Sequence, residues 1–217
     1  MMTIFKSRGA IATALAAALT LAAGLFWPGA PIAAAGETPR SVAEQLDAVL
    51  LDAMRNAETL GYEGRYKLLA PVLEDSFDFP FMARVSIGRY WRKMDDVQKA
   101  KLVESFARLS IATFAARFDG YGGETFQVLG QEEGLHGTIL VVNHLIKSDG
   151  EPIAINYLMR ETKGRWRIVD VYLKAKYSEL AIKRSEYTSV YKRDGFARLI
   201  EIMEAKIAGF SSGGDAG

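Results

Sequence analysis

Midway along the chain the hydrophobic period drops from helical to two, and that switch limits the fold more than any other feature. Thr125–Gln131, Gly137–Lys147, Ile153–Glu161 and Arg165–Leu173 are short runs rich in β-branched and aromatic residues. The links between them are Glu132-Glu133-Gly134, Ser148-Asp149-Gly150 and Thr162-Lys163-Gly164. Each is too short for a crossover and long enough for a hairpin. An antiparallel meander of four strands, or slightly more, follows. Helical periods lie on both sides of it, so the expected class is α+β, with a twisted antiparallel sheet and helices around it.

The helical segments can be placed from their apolar spacing. Ser41 is expected to cap a first helix carrying Val42, Leu46, Val49, Leu50 and Met54. A short second helix is expected over Gly64–Leu73, limited by Pro71, and a third from Met82 to about Trp91. The strongest signal is Asp95–Phe118, with Leu102, Phe106, Leu109, Thr113 and Phe114 on one face and Gly120, Gly122 and Gly123 beyond its end. Two helices, Ser178–Lys192 and Gly195–Ile207, close the domain.

One strand breaks the usual alternation. In Gly137–Ile146, Ile139, Val141 and Leu145 share one face while Leu140, Val142 and Ile146 share the other. An antiparallel strand with one wet face alternates apolar and polar. This one predicts cover on both sides, either by helices or by helices on one face and an apolar ligand cavity on the other.

The first 35 residues read as an address. Lys6 and Arg8 precede an uncharged run from Ala10 to Phe26, and Ala33-Ala34-Ala35 forms a small-x-small site before Gly36. Residues 1–35 are therefore expected to be a signal peptide cleaved near Ala35, with an uncleaved membrane anchor as the other reading. Residues 36–210 then form a single domain and 211–217 a flexible tail. A chain exported this way and lacking a second span belongs in the periplasm of a Gram-negative cell.

Chemistry is sparse. There is no cysteine among the 217 residues, which removes disulfides, thiol nucleophiles and cysteine metal sites. The formal charge of +1 gives no basic excess for nucleic acid. His136 and His144, eight positions apart along one expected strand, would stand roughly 26 Å apart and could not share a metal. No nucleophile turn and no phosphate loop is present. An enzyme is not expected, nor a cofactor or metal.

What the sequence does carry is an aromatic and apolar stripe, Tyr177, Leu180, Ala181, Arg184, Tyr187, Thr188 and Tyr191, at helical spacing. Arg184 on it needs an anionic companion, either an internal carboxylate such as Asp170 or a phosphate-bearing ligand. Lys174, Lys176, Lys183, Lys192 and Arg193 read as solvated surface that could also meet anionic lipid or an acidic partner.

Three stretches carry a resemblance. The first is Phe77-Asp78-Phe79-Pro80-Phe81-Met82-Ala83-Arg84 with Gly88-Arg89-Tyr90-Trp91, then Gln98 and Phe106. The second is Trp166-Arg167-Ile168-Val169-Asp170-Val171. The third is Ser178-Glu179-Leu180 with Arg184, Tyr187, Gly195 and Leu199-Ile200. In this order, spanning Ser41 to Lys206, they resemble the MlaC-type (toluene-tolerance) periplasmic phospholipid-binding family. Ala175 stands where that family usually has Gly, Ser178 comes one residue late, and Tyr187 replaces the usual Phe. The late Ser is similar to the hopanoid-biosynthesis-associated HpnM branch.

The resemblance implies a sheet and helices enclosing a deep apolar pocket. It also implies a non-enzymatic role, shuttling phospholipid or hopanoid between inner and outer membrane and so serving outer-membrane lipid asymmetry. Transient contacts with lipid transport complexes of both membranes and a monomeric state are expected. Periodicity and that architecture together put Phe106, Leu109, Val141, Ile155, Tyr157, Val169 and Val171 in the wall, with Phe81, Val85 and Trp91 at the mouth and Arg184 as the polar contact. The competing reading is an envelope protein-interaction module with a solid core and no ligand cavity.

Overall fold

The computed structural model describes residues 37–212. The expected signal peptide and most of the expected tail lie outside them. Helix α1 spans Pro39–Arg55 and α2 Ala57–Ser76. Helix α3 (Phe79–Ile87) leads into a 3-10 turn at Gly88–Lys93, and α4 covers Asp96–Arg117. Five strands follow in sequence order: β1 Thr125–Glu133, β2 Thr138–Ile146, β3 Pro152–Thr162, β4 Arg165–Leu173 and the two-residue β5 Tyr177–Ser178. Helix α5 (Glu179–Ser211) ends the described chain. The class is α+β and the sheet is the antiparallel meander read from the turns.

The helix ends differ from the sequence expectation for definable reasons. Thr38, not Ser41, caps α1: its hydroxyl accepts the Ser41 backbone N–H at 3.1 Å, while the Ser41 hydroxyl accepts the Thr38 N–H at 2.9 Å. This reciprocal pair satisfies two otherwise orphaned donors, and Pro39 fits the first turn because its missing N–H is not needed there. In α2 the break falls at Gly61 (φ 56°, ψ −174°), a conformation open to glycine, while the helix runs through Pro71. Helix α3 starts three residues before the expected Met82 because Asp78 caps it, accepting the Phe81 N–H at 3.0 Å. In α4 the cap is Asp95, paired with Gln98 in the same reciprocal way. The two expected C-terminal helices are one run bent at Gly195 (φ 83°).

The core lies between one face of the sheet and the helices. Val141 faces Tyr157, which faces Val171, and Met159 faces Ile168, so an apolar row crosses β2, β3 and β4. Phe77 stacks on Phe79, which meets Phe106 edge-on, while Phe114 stacks on Phe118. Buried Arg65 ties α2 to the end of α4 by donating from Nε to the Ala115 carbonyl at 2.9 Å, and from Nη1 to the Ala57 carbonyl at 3.1 Å. It thereby occupies a carbonyl that the helix end leaves without an intrahelical donor.

The expectation for β2 needs correction. Val141, Asn143 and Leu145 are buried, but Leu140, Val142, His144 and Ile146 are only half-buried and the apolar three of them stand outside the core cluster. Apolar residues line the inside, yet being apolar does not oblige a residue to be inside. His136 is not on a strand either. It sits in the turn before β2 with φ 58°.

The sheet edges have distinct fates. Along β4, Phe77 bridges Ile168 in parallel, the Asp78 N–H donates to the Ile168 carbonyl at 2.9 Å, and β5 pairs with Tyr172 and Leu173. At the other edge β1 is bulged at Leu129, between the pairs Val128–Asn143 and Gly130–Val142.

Candidate functional site

Four helices and three strands leave a gap where their apolar faces do not close. It is a cavity of about 270 Å³. Met54 of α1 and Met82 of α3 contribute flexible thioether walls. The sheet supplies Leu145, Ile153, Ile155, Val171 and Leu173, all on its helix-facing side. Helix α4 brings Ser110, Thr113 and Phe114, and its cap residue Phe118 lies beside them. Both hydroxyls are spent within the helix: Ser110 donates to the Phe106 carbonyl at 2.8 Å and Thr113 to the Leu109 carbonyl at 2.7 Å. To a ligand they therefore offer mainly methyl and methylene surface. The cavity and the helices share one face of the sheet, where the sequence had suggested opposite faces.

Three charged side chains complete the lining: Arg117 at the end of α4, and Glu179 and Lys183 one turn apart at the start of α5. Arg117 is exposed and Lys183 half-buried. Burial holds the Lys183 ammonium below its ordinary range; Glu179 and Glu186 oppose this, while Lys206 and Arg117 add to it. Among the described residues no carboxylate lies within 4 Å of either Lys183 or Arg117. A desolvated cation without an ion pair beside an apolar cavity leaves a place for an anionic group.

Helix α5 is held in place by Asp170. Its Oδ1 accepts from the Leu180 N–H at 3.0 Å and the Val171 N–H at 2.8 Å, and its Oδ2 accepts from the Ser178 hydroxyl at 2.5 Å. The Ser178 hydroxyl in turn accepts from the Ala181 N–H at 2.9 Å, capping the helix. Burial raises the Asp170 carboxyl above its usual range, against the lowering effect of those bonds. Asp170 is thus occupied, and Arg184 makes no ion pair with it.

Of the residues expected in the wall, Ile155 and Val171 line the cavity. Phe106, Leu109, Val141 and Tyr157 are buried in the continuous core, and Val169 is buried at the irregularity in β4. Phe81 and Val85 are half-buried on α3, with the Arg160 guanidinium 4.0 Å above the Phe81 ring. Trp91 and Arg184 belong to a separate surface recess. Met54, Met82, Phe114, Phe118, Leu145, Leu173 and Lys183 are cavity residues that the sequence did not single out. Leu145 and Leu173 were legible in principle, since their strand registers place them beside Ile153 and Ile155.

Among the described residues no three His, Cys, Asp or Glu side chains group as a metal site, and no helix is long and apolar enough to cross a membrane.

No curated protein sequence matches the chain. In fold it is similar to the phospholipid-binding protein from Ralstonia solanacearum, solved in complex with a phospholipid, with a TM-score of 0.69 at 16% identity. That likeness covers 79% of this chain and 97% of the other, and at such identity it speaks for the fold alone. The sequence evidence is separate and reaches further: the MlaC protein family model matches residues 44–205, and the chain belongs to that family.

Proposed function

We propose that this protein is a periplasmic lipid carrier that holds a phospholipid with an acyl chain in the cavity between sheet and helices and the head group toward Arg117 and Lys183. The observation that carries the reading is the apolar cavity with unpaired cations in its lining. A carrier of this kind answers a large barrier, since a sixteen-carbon chain crossing water unaided faces roughly 13 kcal/mol. Apolar wall lowers that barrier with little need for polar specificity. The Met54 and Met82 side chains can give way more readily than branched ones.

Membership of the MlaC family, together with a fold shared with a protein solved with a bound phospholipid, supports a phospholipid as ligand. Ser178, whose late place resembles the hopanoid-associated branch, favours a hopanoid as the second reading. Shuttling between the inner and outer membrane, with lipid transport complexes as donor and acceptor, extends the proposal. The cavity speaks against the solid-cored interaction module.

Extraction of the purified mature protein into organic solvent, followed by mass spectrometry, tests the ligand. A near-stoichiometric phospholipid is the expected result, and a polycyclic terpenoid would select the hopanoid reading. Empty protein that also takes up no lipid from vesicles would overturn both.

A further inference from the structure

On another part of the surface, α3, the turn after it and α5 bring together a group of cations unrelated to the cavity lining. Two recesses, of about 490 and 400 Å³, share Gly88, Arg89 and Arg184. One extends to Thr188 and Lys192, the other to Arg84, Trp91 and Arg92. Arg84, Arg89, Arg92, Arg184 and Lys192 are all exposed.

Among the described residues none of these cations has a carboxylate within 4 Å, although most other surface arginines do. The nearby acids are engaged elsewhere: Asp95 caps α4, Asp96 pairs with Lys99, and Glu186 pairs with Lys206. Aromatic faces take up Arg84, Arg89 and the neighbouring Lys93 instead. Arg84 stands 5.4 Å from the Phe81 ring centre, and Arg89 and Lys93 stand 5.2 and 5.7 Å from that of Tyr90. The Arg89 hydrogen bond, and then the charges of Arg89, Lys192 and Lys93, hold the Tyr90 phenol below its ordinary range against the opposing effect of burial.

Gly88 lies at the centre of the patch against Arg184. It has φ +55°, and a Cβ there would lie 3.4 Å from Nε and Nη2 of Arg184. A Cβ at that distance would make ordinary contact with the guanidinium, so the positive φ is what favours glycine at the turn. Arginine forks match phosphate oxygens in pairs, hydroxyls at Thr188 and Ser189 line the same recess, and half-buried Trp91 suits the boundary between head groups and acyl chains.

We propose that this patch is a docking surface for the face of a bilayer carrying anionic phospholipid, with head-group phosphates seated in the two recesses. The role rests on the carrier reading only for its purpose. Lys183 lines the cavity and Arg184 the patch, so α5 connects the docked face to the ligand site. Attraction of this kind is screened by salt, which lets the protein leave as readily as it arrives.

The test is co-sedimentation of the mature protein with vesicles of phosphatidylcholine alone or with about a third phosphatidylglycerol, run beside a triple variant Arg89→Glu, Arg92→Glu, Lys192→Glu. The wild type should bind the anionic vesicles at least about tenfold more strongly, and lose that preference between about 0.1 and about 0.5 M salt. The variant should lose it at low salt while keeping its circular dichroism spectrum and its content of extractable lipid. Equal binding to both vesicle types, or a variant that binds like the wild type, would overturn the proposal. Retention of wild type but not variant on immobilised polyglutamate, without vesicle binding, would also overturn it and assign the patch to an acidic protein. A lipid-filled protein indifferent to anionic vesicles defeats this proposal alone, and an empty protein that binds them defeats the carrier reading alone.

Discussion

The hydroxyl of Tyr157 donates to Oδ1 of Asp47 at 2.9 Å, joining β3 to α1 across 110 positions of sequence. Asn143 Nδ2 donates to the same oxygen at 3.1 Å, while Asp47 Oδ2 and Asn143 Oδ1 have no partner. Burial lifts the Asp47 carboxyl from 3.8 to about 7, with the bonds from Tyr157 and Asn143 opposing the rise. A proton on Oδ2 would turn one lone acceptor into a donor within a cluster that has another acceptor to spare.

That carboxyl predicts a pH dependence of stability. The folded chain keeps a proton that the unfolded chain releases between about pH 4 and 7. The stabilising share of the protonated form is complete below about pH 4 and is lost as pH rises through 7. The loss is on the order of 4 kcal/mol. Asp47→Asn removes the titration, so urea unfolding should find the variant more stable than wild type at pH 8 and the gap closing toward pH 4. A variant with the wild-type slope over this range would refute the assignment.

Two substitutions of one kind should have opposite effects. Ile155→Trp projects into the cavity and should block uptake of a fluorescent phospholipid while leaving the fold intact. Val141→Trp must enter a site with no exposed surface opposite Tyr157 and should cost about 1–3 kcal/mol of stability. Lipid uptake by the Ile155 variant equal to wild type would mean that the space is not the binding site.

Lys183 supplies a test of head-group contact. Lys183→Gln removes the ammonium and keeps most of the side-chain length. Phospholipid affinity should fall about tenfold, the loss expected of one charge-assisted bond, with thermal stability unchanged or slightly raised. Unchanged affinity measured with a phosphate-bearing lipid would remove Lys183 from the site.

Asp78 joins the helical layer to the sheet. Besides capping α3, its Oδ2 accepts from Arg160 Nη2 at 3.0 Å and from the Thr162 hydroxyl at 3.1 Å. Asp78→Ala should lower stability by about 3 kcal/mol, combining a lost cap with a partly buried guanidinium left unpaired. Guanidinium chloride melts read this directly, and a loss under about 0.5 kcal/mol would show that the contacts are incidental.

The sheet was legible because period-two runs and glycine-bearing turns are local signals, and all four long strands lie where those signals put them. Helix breaks were less legible. Pro71 looked like a terminator and Gly61 did not, although the backbone departs from helix at Gly61. The cavity was hardest to see for a physical reason. An apolar residue lining a void and one filling a core follow the same periodicity, so Val141 and Ile155 look alike in sequence and differ only in what stands opposite. Lys183 read as surface because it is charged, whereas its place one turn after Glu179 beside the sheet half-buries it.

The bulge at Leu129 has a bearing on life in a crowded compartment. An unpaired strand is an open template for a neighbour's strand, and β1 is the long edge strand of this sheet, the other edge being the two-residue β5. The extra residue throws its hydrogen-bonding groups out of step, Arg40 occupies the Val128 carbonyl at 3.3 Å, and Glu132 and Glu133 repel like-charged chains. In the carrier role proposed above, a molecule that opens an oily interior is thereby shielded along its backbone from stacking into fibres.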